Sequence, residues 1–260
     1  MDNGMLTSML LALILGCAIG AVAGYIGSLM LTRRMALMGG ALGHLALPGV
    51  ALALLYDFDV SLGALLFLTC GVAMIGWLEH TTRLHPEALT AVVFSGALAT
   101  AFLFLPEEKT EIALLGDISQ ISPLTVSVTL AICFGLFRMI KSIYAPLVLS
   151  GISTDLAQTT GLNPKRINAI YLICIAITVA LGVRIVGGLM TAALLAIPAC
   201  TAKNLSQSLA QYASISSLAG AGACVLGILA FGLCGIPAGP AIIITSVVIF
   251  LLSVLFRRLR

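Results

Sequence analysis

Long apolar runs recur from end to end of the chain, and short polar segments separate them. Each run has the length that a helix needs to cross a bilayer, roughly 17 to 25 residues. None alternates strictly between apolar and polar positions, so helices are favoured over the strands of a membrane barrel. We predict an all-α fold, a polytopic transmembrane helical bundle with spans near residues 5–31, 40–56, 60–78, 87–105, 122–140, 167–183, 186–202, 210–232 and 239–256.

The seventh run is the least regular of the nine. Gly187, Gly188 and Pro198 interrupt it, and a broken or re-entrant helix fits this pattern as well as a full crossing does. The sequence therefore predicts either eight or nine membrane helices.

Composition narrows the class of protein. Hydrophobic residues make up 60% of the 260 residues and charged residues only 9%, whereas soluble domains carry roughly 25% charged residues. No polar stretch is long enough to form a soluble domain, so we expect one transmembrane domain over residues 1–260.

The basic residues predict the orientation of the chain. With the N-terminus outside, successive spans place eleven of the thirteen basic residues in the cytoplasm, and the C-terminus lies there too. Such a bias follows the positive-inside rule. The eleven residues are Arg33, Arg34, Arg83, Arg138, Lys141, Lys165, Arg166, Lys203, Arg257, Arg258 and Arg260.

The second run contains a lone histidine. His44 is the only ionisable side chain in Gly39–Leu55, and it lies a few residues past the predicted cytoplasmic start of the span. Polar groups at this depth are energetically expensive and usually face a cavity or a partner. A core histidine bonded to a backbone carbonyl is the alternative, and the pattern alone leaves both open.

A polar segment after the fifth run carries the signals of a short cytoplasmic helix. Ser153 or Thr154 can cap its start, Gly161 can end it, and Pro164 prevents its continuation. We therefore predict a helix near residues 153–163. It can either receive force from a soluble partner or simply connect two spans.

On the opposite side, acidic residues cluster in the segment 106–119. Their negative potential can concentrate cations near an outer entrance, although most such clusters are merely solvated. Asp117 is the candidate entrance residue.

Motifs of several enzyme classes are absent from the sequence. It has no G-x-x-x-x-G-K-[ST] nucleotide loop, no H-E-x-x-H motif and no basic aromatic patch for nucleic acid. We expect no catalytic residues, no covalently bound cofactor and no nucleic-acid partner. ATP-driven work by this protein would need an ATPase on another chain.

Five segments, met in order along almost the whole chain, resemble the metal-importing ABC permeases, the integral membrane subunits of zinc, manganese and iron uptake systems. The segments are RRMALMGGALGHLALPGVALA (33–53), LLGDISQISP (114–123), STDLAQTTGLNPKRIN (153–168), VGGLMTAALLAIPACTA (186–202) and GIPAGPAIII (235–244).

The resemblance implies the metal-type ABC importer permease fold and a role in moving a divalent transition metal into the cytoplasm of a prokaryote, across its inner or plasma membrane. It implies a homodimer, two cytoplasmic ATPase subunits that bind ATP, and an extracytoplasmic solute-binding protein. It assigns the translocation pathway to His44, Leu47, Pro48 and Gly49. It assigns the contact with the ATPase to Ser153, Thr154, Asp155, Leu156, Ala157 and Gly161.

Two positions depart from the family pattern. The family commonly has acidic residues where this chain has Gly40 and Gly235. Residues at i and i+4 share a helical face, so an acid at position 40 would lie beside His44 and could help it to bind a cation. Glycine removes that ligand, and His44 alone is a weak metal site.

The two glycines leave a second function open. A permease of the same fold could carry a changed cargo, such as a metal chelate. A stand-alone secondary transporter is a further alternative, because membrane-embedded ionisable residues also serve ion coupling. The near absence of carboxylates within the predicted spans weighs against it.

Overall fold

The computed structural model describes residues 3–33, 35–82, 84, 86–104, 114–116, 122–188 and 190–258. In these ranges the chain folds into helices joined by short turns, with no strand, which confirms the all-α prediction. The helices are α1 (Asn3–Thr32), α2 (Ala36–Leu45), α3 (Leu47–Leu55), α4 (Val60–Thr82), α5 (Pro86–Phe104), α6 (Pro123–Ile152), α7 (Thr154–Thr159), α8 (Pro164–Val186), α9 (Thr191–Leu205), α10 (Leu209–Cys234) and α11 (Ala238–Arg258).

The helices follow the predicted spans. Helices α1, α4, α6, α8, α10 and α11 are each long and apolar enough to cross a membrane. The α2–α3 pair and α5 supply shorter apolar segments. Helix α9 corresponds to the irregular seventh run and has 15 residues, a length of about 22 Å at 1.5 Å per residue.

Helix α9 differs from its predicted boundaries. Gly187 has φ 85° and ends α8, so the chain turns there and α9 begins at Thr191 rather than near residue 186. Pro198 does not break the helix, which continues to Leu205. The turn at Gly187 therefore accounts for the irregularity of this run, and Pro198 does not.

Polar caps fix where several helices begin. The side chains of Ser122, Asn163 and Ser208 accept hydrogen bonds from backbone N–H groups in the first turns of α6, α8 and α10. Such bonds satisfy backbone donors that have no partner inside a helix. The far end of α6 differs from the predicted span, because the helix continues to Ile152, beyond residue 140.

Helix α1 lies at the centre of the bundle and packs closely on α10. A Cβ added to Gly20 would lie 2.7 Å from Cys224 Sγ and 2.8 Å from the carbonyl carbon of Gly220. One turn further along, Ser216 Oγ donates a 2.6 Å hydrogen bond to the carbonyl of Gly24. The small residues of α1 thus allow two backbones to touch.

Contacts between distant segments sort the helix ends into two groups. At one end of the bundle, Arg184 near the end of α8 forms a 2.9 Å ion pair with Asp59, which precedes α4. At the other end, Arg33 after α1 donates a 2.9 Å hydrogen bond to Asn168 in the first turns of α8.

Candidate functional site

His44 lies midway along an interrupted helix. Helices α2 and α3 contribute ten and nine residues on either side of a turn at Ala46. Pro48 has no N–H, so it cannot bond to the carbonyl four residues earlier, which is that of His44. Because α2 begins at Ala36 and α3 ends at Leu55, His44 lies near the middle of this helix pair.

The imidazole of His44 is enclosed on one side. Its Nδ1 atom is buried, and no hydrogen-bond partner for it exists in the described part of the chain. The ring of Phe94 on α5 lies against it, with the two ring centroids 5.0 Å apart. Nδ1 therefore makes no bond to a described carbonyl, such as the alternative interpretation requires of a core histidine. Leaving a buried polar atom unsatisfied costs about 1 to 3 kcal/mol.

The residue before the histidine contacts the α8–α9 turn. A Cβ added to Gly43 would lie 3.2 Å from the carbonyl oxygen of Gly188 and 3.6 Å from the N atom of Ala192. The last turn of α2 is therefore held against the start of α9. Sequence reasoning missed this contact, as it missed Phe94, because nothing in the local pattern links residues so far apart in the chain.

The α8–α9 turn also joins a cluster of three glycines. A Cβ on Gly187 would lie 2.7 Å from the N atom of Gly116, and one on Gly239 would lie 2.5 Å from the carbonyl oxygens of Leu115 and Val186. We call Gly116, Gly187 and Gly239 the glycine cluster. It brings together three of the five segments that carry the family resemblance, and it lies at the end of the bundle marked by Arg184.

The other predicted pathway residues are buried. Leu47 is 1% exposed, and Pro48 and Gly49 are also buried. The backbones of Gly49 and Gly63 touch where α3 crosses α4, since a side chain at either position would meet the carbonyl oxygen of the other. Gly49 thus allows α3 and α4 to pack closely just after the turn at Ala46.

Gly40 and Gly235, the two positions predicted to depart from the family pattern, lie in different places. Gly40 is one turn before His44 on α2, whereas Gly235 ends α10 with φ 68° and has no heavy atom within 4 Å of an added Cβ. Helix α2 is not among the helices that α10 contacts in the described chain. No group of three or more His, Cys, Asp or Glu side chains there could hold a metal ion.

A short helix, α7 (Thr154–Thr159), lies within the range 153–163 for which the sequence predicts a cytoplasmic helix. It begins after Ser153, whose backbone is extended, and it ends with two hydrogen bonds, from Gly161 N–H to the Gln158 carbonyl and from Leu162 N–H to the Ala157 carbonyl. With φ 77° at Gly161, these bonds form a Schellman motif.

The residues of α7 face in different directions. Ala157 is fully buried against the rest of the chain, whereas Gln158 and Gly161 are exposed. The side chains of Thr154, Asp155 and Leu156, and the whole of Asp117, lie outside the described residues.

These features define a polytopic helical membrane protein with an unpaired imidazole nitrogen midway through an inner helix. The sequence model of the ABC 3 transport family matches residues 5–257. The chain therefore belongs to this family, and the resemblance found in its sequence is confirmed.

Relatives of the chain carry names that describe metal transport. The chain is 29% identical over 246 residues to the manganese import system permease protein ScaB of Streptococcus gordonii, which covers 93% of this chain and 88% of the relative. It is 24% identical over 244 residues to the high-affinity zinc uptake system membrane protein ZnuB of Buchnera aphidicola, with 92% and 94% covered.

A solved structure shares the fold. PsaBC from Streptococcus pneumoniae in complex with Fab superimposes with a TM-score of 0.82 at 26% identity, covering 93% of this chain and 89% of the other. The metal-type ABC permease fold predicted from the sequence is confirmed by this match.

Proposed function

We propose that this chain is the membrane permease of an ATP-driven importer that moves a divalent transition metal, zinc, manganese or iron, into the cytoplasm. Membership of the ABC 3 transport family and the manganese and zinc relatives support this cargo. The observation that carries the proposal is the unpaired Nδ1 of His44, buried midway along the interrupted α2–α3 helix. An imidazole nitrogen is a good ligand for such metals.

The proposed pathway runs past His44 and the buried residues that follow it, Leu47, Pro48 and Gly49. A single imidazole binds a metal weakly, and a transport site needs weak binding in order to release its cargo. High affinity is then supplied by an extracytoplasmic solute-binding protein. Two copies of the permease would bring two His44 residues to one assembly, with the N-terminus of each outside and the C-terminus inside.

Energy enters through α7 in this proposal. Two cytoplasmic ATPase subunits bind and hydrolyse ATP and push on the segment Ser153–Gly161. The Schellman motif makes α7 a defined rod, and its exposed end at Gln158 and Gly161 supplies a surface that a partner can reach. A rigid element transmits a push that a flexible loop would absorb. Asp117 remains the candidate residue for the outer entrance.

The test is metal-stimulated ATPase activity of the reconstituted complex with its binding protein, measured with zinc, manganese and iron. We expect one metal to stimulate the wild type selectively and His44→Ala to lose most of that stimulation, because the pathway loses its imidazole. His80→Ala is the matched control, since His80 is exposed near the end of α4, and it should behave like the wild type.

The same experiment separates the second candidate cargo. The absence of a metal-binding cluster in the described residues, together with glycine at positions 40 and 235, favours a metal chelate as the alternative. If no free metal stimulates the complex and His44→Ala changes nothing, the free-metal proposal is wrong and the chelate is the better cargo.

A further inference from the structure

One arginine contacts the protein on both sides of α7. Arg33, directly after α1, donates a 2.9 Å hydrogen bond from its guanidinium to Asn168 Oδ1. Its side chain also passes beside Gly151, where an added Cβ would lie 3.7 Å from both Cγ and Nε of Arg33. Gly151 is near the end of α6 and Asn168 is in the first turns of α8, so the arginine touches the two helices that α7 connects.

A second hydrogen bond joins α8 to α1, as the bond between Arg33 and Asn168 does. Tyr171 is fully buried, and its hydroxyl donates a 3.1 Å hydrogen bond to the carbonyl of Ile26 on α1. Tyr171 lies one turn after Asn168, and Ile26 lies two turns before Arg33, so both bonds join the same faces of α8 and α1. The start of α8 is therefore attached to the last turns of α1 at two points.

The segment after Arg33 leads directly to the candidate pathway. Met35 N–H bonds to the Met30 carbonyl at 2.9 Å, which closes the end of α1, and α2 with His44 begins at the next residue. A shift of Arg33 therefore displaces the start of α2 through a connection of only a few residues.

We infer that Arg33 is a positioning residue that ties both flanks of α7 to the α1–α2 connection and so transmits movement of α7 to the helix that carries His44. The inference rests on the proposed function. Arginine suits this role because its planar guanidinium holds several donors in a fixed geometry while its stem packs against a neighbour. Lysine offers one flexible ammonium and cannot reproduce both contacts.

The experiment uses the full complex with its ATPase and binding protein in vesicles, and it measures both metal uptake and ATP hydrolysis. For Arg33→Ala and Asn168→Ala we expect the metal transported per ATP hydrolysed to fall by a factor of roughly two to thirty, the range that the coupling energies of such contacts span. Both variants remove the same bond, so the double variant should be no worse than the more affected single one.

Two conservative variants separate transmission from a general structural role. Asn168→Asp keeps an oxygen acceptor and adds a charge opposite Arg33, so it should retain coupling. Gly151→Ala should also retain coupling, because its Cβ meets the arginine at ordinary contact distance. The side chain of Gly151→Leu extends further toward the arginine and should reduce the metal transported per ATP hydrolysed. This variant disturbs the same contact from α6.

Arg166→Ala is the matched control, because Arg166 is an exposed arginine at the start of α8. All variants are compared at equal amounts of assembled complex, and the melting temperature of each is measured to show that it is as stable as the wild type. The inference is wrong if Arg33→Ala and Asn168→Ala transport as much metal per ATP as Arg166→Ala does. If the wild-type complex itself shows no ATP-coupled metal uptake, the proposed function falls and this inference falls with it.

Discussion

Glycine at position 187 meets two separate demands. Its backbone has φ 85° and ψ 162°, a region open to almost no other residue. It also has no space for a side chain, since an added Cβ would lie 2.7 Å from the N atom of Gly116. Gly235 shares only the first demand, because its φ of 68° is left-handed but its surroundings are open.

This difference gives a matched pair of substitutions. Gly235→Ala should cost about 1 to 2 kcal/mol, the penalty for a left-handed alanine. Gly187→Ala should cost more, about 3 to 5 kcal/mol, since overpacking adds to the backbone strain. The measurement is the apparent melting temperature in detergent. Equal shifts for the two variants would show that the close contacts of the glycine cluster do not constrain the fold.

Sequence reasoning reached His44 but not its surroundings. The histidine stands out because no other ionisable group occurs in Gly39–Leu55. Its neighbours come from α5 and from the α8–α9 turn, and a local pattern carries no information on which distant helix will pack there.

At the scale of whole helices, local signals predicted ends better than lengths. Helix α7 begins after Ser153, and the glycine predicted to end it, Gly161, forms a Schellman motif that satisfies backbone groups within its own turn. Helix α6 is longer than its predicted span, since Arg138 and Lys141 interrupt the apolar run without interrupting the helix. Polarity indicates where a helix leaves the membrane, whereas the end of a helix depends on its backbone hydrogen bonds.

Helix α1 and helix α10 provide a test in which one chemical change has opposite effects. Gly20→Ala places a methyl group against the backbone of Gly220 and should destabilise the protein by about 1 to 3 kcal/mol. Gly222→Ala, also within a helix, meets no atom within 4 Å and should be neutral or stabilising by about 0.5 to 1 kcal/mol.

Both variants can be followed by thermal unfolding of the purified protein in one detergent. A destabilised Gly222→Ala would mean that this face of α10 is covered in the assembled protein. An unchanged melting temperature for Gly20→Ala would contradict the close crossing of α1 and α10. The added methyl group would meet the backbone of Gly220, which cannot move aside as a flexible side chain can.

At the scale of the whole molecule, contacts establish which helix ends share a side. Asp59 and Arg184 pair at one end, and Arg33 and Asn168 bond at the other. These are the same groupings that nine crossings assign to the two sides of the membrane. The fold alone does not say which side is the cytoplasm, because a helical bundle packs identically in either orientation. The bias of the basic residues supplies that choice.

The orientation predicts a labelling pattern. Phe58→Cys and Gln158→Cys, each in a cysteine-free background, place a thiol on opposite ends of the bundle at positions that are exposed. A membrane-impermeant maleimide added to intact cells should label the Phe58→Cys variant, and inside-out vesicles should reverse the result. Labelling of both variants from one side would contradict the number of crossings between them. Labelling of Gln158→Cys alone in intact cells would keep the fold but contradict the orientation inferred from the basic residues. Helix α7 would then lie outside the cell, out of reach of any cytoplasmic ATPase.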